Sequence, residues 1–199
     1  MTADSARPDR TKWLGSNLML GFLVTALSIF TAVTNYATYR VGNTASDYQT
    51  QGDRLLASSN TGYIQATQYI IVDYTMYDGY YINNDKDPNA SDYYQSNFSD
   101  ELKASVARND PFDKAYYDAM YEDSNQQFVD AFAKYDQSDA ESSREAGYQL
   151  TMLSAAVGLA FAAYASLLDE TNRLRRIFAL MSLILLILSV GQFFAVSMG

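Results

Sequence analysis

The sequence predicts an all-α integral membrane protein: three transmembrane helices and a small extracytoplasmic antiparallel helical bundle. Three observations lead there. Charge is segregated, with 19 of the 23 acids and 8 of the 14 basic residues inside 40–148 and no charge at all in 13–39, 149–168 or 177–198. Those three uncharged runs each reach the roughly 20 residues that cross a bilayer. Basic residues cluster before the first run and between the last two, which is the pattern of a chain held with those parts inside. The mean hydropathy of -0.19 hides this, because it averages two unlike populations.

Residues 1–12 read as a cytoplasmic N-terminus whose Arg7, Arg10 and Lys12 orient the first span. The run "WLGSNLMLGFLVTALSIFTAVTNYATY" (13–39) is longer than the apolar core of a signal peptide. "TNYATYRVGNT" is also a weak cleavage site, so the run is expected to be an uncleaved transmembrane helix. Residues 40–148 form the acidic, tyrosine-rich extracytoplasmic domain and are expected to be helical. In it Ile64, Ile71, Tyr74 and Tyr81 fall near helical spacing, and so do Tyr117, Met120, Tyr121, Phe128, Phe132 and Tyr135. Pro88 and the Asn/Asp cluster of "NNDKDPNASD" break the pattern, and Ser91 or Ser99 is expected to cap a shorter helix. Asp110 before Pro111 predicts the start of the next helix, which continues past a bend near Gly147 into the second span.

That second span covers 149–168 and the third starts at 177. One soluble helix through both would leave an apolar cylinder in water, so "DETNRLRR" (169–176) is read as a cytoplasmic turn carrying Arg173, Arg175 and Arg176. The third helix and a short outer C-terminus take up 177–199. No ionisable side chain lies at the centre of any span, which argues against proton relays and most ion-coupled transport.

Two stripes of small residues are expected to pack against each other within one subunit: Gly21, Thr25, Ser28 and Ala32 in the first span, and Ser154, Gly158, Ala162 and Ser166 in the second. A contact between subunits is the alternative. The third span, rich in Leu and Ile, is expected to face lipid or a partner.

Function is bounded mainly by exclusion. With neither His nor Cys, the chain has no disulfide framework, no imidazole or thiolate metal site and no Ser-His or Cys-His nucleophile. A domain of about -11 charge repels phosphate, so nucleic acid is not an expected partner. Asp85, Asp87, Asn89 and Ser91 alternate as in a calcium-binding EF-hand loop. Ala90 stands where that loop needs Gly, however, and Ser96 where it needs Glu, so an Asx-rich turn is expected in place of a metal site. Asn89-Ala90-Ser91 and Asn97-Phe98-Ser99 are formal glycosylation acceptors.

The hairpin "GYQLTMLSAAVGLAFAAYASLLDETNRLRRIFAL", with "NDPFDKAYYDAMYEDSNQQFVDAFAKYDQSDAESSREAGYQL" leading into it, resembles a group of bacterial three-span membrane proteins classed as domains of unknown function. The resemblance runs over nearly the full chain and implies the same layout, with no activity to transfer. What the residues predict is a non-catalytic accessory or structural subunit, without cofactor, in the cell membrane. It would bind other membrane proteins, in a hetero-complex or a homo-oligomer, and lipid. The alternatives are an extracytoplasmic sensory module acting through a partner and a homo-oligomeric channel.

Overall fold

The structure is a computed structural model, and it describes residues 12–198. A 3-10 turn at Lys12–Gly15 leads into α1 (Asn17–Asn83), α2 (Pro88–Ser96), α3 (Asp100–Ala107), α4 (Lys114–Leu167) and α5 (Arg173–Met198), with no strand among the described residues. The helices α1, α4 and α5 each contain a stretch long and apolar enough to cross a membrane. The chain divides into two compact units, Asp47–Gln137 and the remainder on either side of it.

In the unit made from both ends of the chain, α1, α4 and α5 share a core. The face that α4 buries is Thr151, Ala155, Gly158, Ala162 and Ala165, alternating steps of four and three. That spacing keeps one stripe against a neighbouring helix. Its small side chains leave room for the leucines of α1, where Leu20, Leu23 and Leu27 are buried. Gly158 marks the tightest point: a Cβ there would lie 3.1 Å from Leu185 Cβ and 3.2 Å from a methyl of Leu27. The buried threonines do not leave orphan hydroxyls, because Thr34, Thr38 and Thr151 each donate to the carbonyl four residues back.

This packing differs from small stripe against small stripe. Gly158 and Ala162 are buried, Ser154 is half-buried and Ser166 is exposed, so the packed line lies a little round the helix from the expected one. Gly21, Thr25, Ser28 and Ala32 are all exposed in the single chain. Leucine fills the gap above a small residue and so buries more apolar area than a second small residue does. The third span also packs inward, burying Ala179, Ser182 and Ser189. At Gly147 α4 does not break. Its missing side chain admits Val196, whose nearest methyl would lie 2.7 Å from an added Cβ.

In the Asp47–Gln137 unit, α1 and α4 run antiparallel. Small residues recur every seventh position on each: Gly52, Ser59 and Ala66 on α1, Ser124 and Ala131 on α4, all buried. The backbones therefore approach closely enough for Ser59 Oγ to donate directly to the Ser124 carbonyl at 2.7 Å. Gly52 admits the Tyr135 ring, and Gly62 admits the Ser124 hydroxyl. Beyond this seam the helices part around a core of Ile70, Phe98, Leu102 and Tyr116, over which α2 and α3 fold.

The short helices begin where side chains can cap them. Asp87 accepts from the Asn89 and Ala90 amides with Pro88 in the first turn of α2, and Ser99 accepts from the Leu102 amide at the start of α3. The helix expected to start at Asp110 starts instead at Lys114. Asp113 is the better cap because its carboxylate receives the Tyr116 amide at 2.8 Å and a bidentate pair of bonds from Arg108, at 2.6 and 2.8 Å. Pro111 is left in a turn flanked by the left-handed residues Asn109 and Phe112.

Candidate interaction surface

The outer-domain candidate, Asp47–Gln137, is organised round a buried carboxylate. Asp73 is 2% exposed and has no basic partner among the described residues. It accepts from the Ser99 amide at 3.0 Å, the Ser99 hydroxyl at 2.5 Å and the Tyr116 hydroxyl at 2.8 Å. Burial, reinforced by this bond to a carboxylate, pushes the Tyr116 phenol well above the ordinary tyrosine range. One side chain of α1 thus ties down the start of α3 and the first turns of α4. Hydrogen bonds to a buried carboxylate fix geometry in this way, since breaking one leaves an unsatisfied charge.

On one side of the helix pair, aromatic rings close the seam in sequence. Tyr74 and Tyr117 join through their hydroxyls, and that bond, with some burial, pushes Tyr117 up to about 12. Tyr63 stacks on Tyr121 with centroids 4.6 Å apart, and Tyr121 also bonds Thr67. Further along, Phe128 packs on Phe132 at 4.7 Å, Phe132 on Tyr135, and the Tyr135 hydroxyl reaches Asp53 at 2.8 Å. The Tyr135 phenol is raised by that bond to Asp53.

This side is not covered. Ile64, Ile71 and Val129 are 60%, 59% and 60% exposed, and Tyr63, Phe128 and Phe132 are about half exposed. Isolated apolar residues are ordinary on a surface; here six stand exposed along one side of a helix pair. The sequence periodicity of Ile64, Ile71 and Tyr74 picked out this exposed side; the buried seam is the line of small residues beside it.

The opposite side holds a groove of about 580 Å³, reaching Asp73 at one end. Its rim includes Gln65, Tyr69, Glu101 and Asp123 over a floor of Ala66 and Met120, with no basic side chain.

Asp85, Asp87 and Asn89 are exposed and Ser91 is buried within α2. The Asp87 carboxylate is occupied as the helix cap. The stretch therefore turns and enters a helix where a calcium loop would wrap round an ion, and no group of three or more acids suited to a metal occurs among the described residues.

Of the basic residues, Arg7 and Arg10 lie outside the described residues and Lys12 opens the 3-10 turn. Arg173, Arg175 and Arg176 form the first turn of α5 and not a loop, because Asn172 caps that helix by accepting the Leu174 amide at 2.9 Å. Arg173 is exposed and Arg176 half-buried. Arg175 is 3% exposed. It donates to the Gly15 carbonyl at 2.7 Å, to the Leu168 carbonyl at 2.6 Å and to the Asn17 side chain, which in turn donates to Glu170. Arg175, expected from the sequence to orient the chain, pins the entry to α1 against the end of α4. Five donors in one planar fork suit Arg to that task, and Lys would not replace it.

Comparison of the chain with protein-family models, curated proteins and solved structures finds no match.

Proposed function

We propose that the chain is a multi-pass protein of the cell membrane with a cytoplasmic N-terminus and residues 40–148 outside. It acts there as a non-catalytic accessory subunit of a larger membrane assembly. The observation that carries this reading is the uncovered aromatic and aliphatic side of the Asp47–Gln137 unit. Rings of this kind bury large areas with few rotamers to lose, which suits them to protein contacts. The membrane placement rests on the three apolar helices and on the two basic clusters that agree on one orientation.

Native mass spectrometry after extraction in mild detergent tests the reading. A heteromeric complex of fixed stoichiometry is expected, and deleting the chain should weaken assembly of its neighbours more than their chemistry. A lone chain or ring that conducts ions, or that turns over a substrate, would contradict it. The groove beside Asp73 favours a second reading, a ligand-binding module that signals through a partner.

A further inference from the structure

We infer that the partner seated on the Tyr63–Phe132 side is a helical protein segment with an apolar stripe bordered by Lys and Arg. This rests on the accessory-subunit reading and adds the chemistry of the partner. The apolar side chains to be covered are Ile64 and Ile71 on α1 and, further along the helix pair, Phe128, Val129 and Phe132 on α4. A third helix laid obliquely across these side chains buries an apolar stripe of its own.

Charge selects among possible helices. Residues seven apart lie on one line of a helix. Asp78 continues the Ile64–Ile71 line, and Glu122 and Asp136 extend the Val129 line in both directions, all three exposed. No Lys or Arg occupies these continuations, and the neighbouring Lys114 is already paired with Asp118 at 2.5 Å. The whole unit carries sixteen acids and six basic side chains. A second copy would bring the same excess of negative charge to the same surface, and like charges across an interface oppose association. A basic border on the partner meets the acids and steers the encounter.

The test uses the full chain in phosphatidylcholine nanodiscs, with empty nanodiscs as blank. Two fluorescent amphipathic helical peptides share one leucine stripe, bordered by Lys in one and by Glu in the other. The Lys peptide should bind about 10-fold or more tightly than the Glu peptide, and added salt should narrow the gap. The Ile71→Ser/Phe132→Ser variant keeps the charge and should weaken the Lys peptide about 10-fold. Val72→Ser, on the groove side, should leave it unchanged, and circular dichroism checks that both variants fold. Equal binding of the two peptides, no binding of either, or no loss in the double variant overturns the inference. So does dimerisation of the wild-type chain that the double variant abolishes, since the occupant is then a second copy. A heteromeric complex found by native mass spectrometry alongside any of these results would leave the accessory reading standing and remove only the basic helix.

Discussion

Three side chains hold more of this molecule than their number suggests: Asp73, Arg175 and Asp113. Asp73 and Arg175 draw partners from separate parts of the chain, and Asp113 ties its neighbour Arg108 to the first turn of α4. Removing one bond from Asp73 tests its role. Tyr116→Phe deletes a single hydroxyl and leaves the carboxylate short of a donor, at a cost of about 1–3 kcal/mol in thermal or denaturant unfolding of the full chain in detergent. Tyr81→Phe, at a side chain 73% exposed, should change nothing measurable. At Asp113, the Arg108 guanidinium holds the carboxyl down at about 2, below its ordinary 3.8. A depressed acid stabilises the fold above its unfolded value and ceases to do so as pH falls through its folded one. The Asp113 contribution should therefore be intact above about pH 4 and fade toward about pH 2. Carboxyl NMR should show Asp113 titrating low in the wild type and moving back toward its ordinary value in Arg108→Met.

At the scale of the helices, the governing feature is where small side chains sit. Gly158 faces Leu27 and Leu185, and Ser59 faces the Ser124 backbone. Gly158→Leu and Ser59→Leu should each cost about 1–3 kcal/mol, the range typical of overpacking, read as a lower melting temperature in detergent. Gly21→Leu, with nothing within 4 Å of its added Cβ, should leave the single chain's stability unchanged. The helical class, the three apolar runs and the Pro88 break were legible in the sequence because hydropathy and backbone chemistry report them directly. The faces were less so. Apolar periodicity finds the largest side chains, and here Ile64 and Ile71 stand exposed while Gly52, Ser59 and Ala66 make the seam. A seven-residue repeat of Gly, Ser and Ala was the available signal. The helix start at Lys114 was hidden for another reason: Asp110-Pro111 is a sound local start, and the Asp113 cap with its Arg108 pair displaces it. Nor does local sequence announce that Arg175 folds back onto the Gly15 carbonyl, since the two lie 160 residues apart.

At the scale of the whole molecule, three helices apolar enough to cross a membrane share the chain with a unit of sixteen acids and six basic side chains. Everything proposed about partners requires that unit to stand on the outer side of the membrane. The chain has no Cys, so single cysteines can be placed in an otherwise silent background. Asn84 is exposed between α1 and α2, and Thr171 is exposed between α4 and α5, next to the capping Asn172 that is best left intact. The most direct measurement is labelling of Asn84→Cys and Thr171→Cys on intact cells with a membrane-impermeant thiol reagent. The account predicts that Asn84→Cys reacts at once, and that Thr171→Cys reacts only after the membrane is opened. The reverse pattern would contradict the orientation, and equal labelling of both sites on intact cells would contradict a membrane-spanning hairpin.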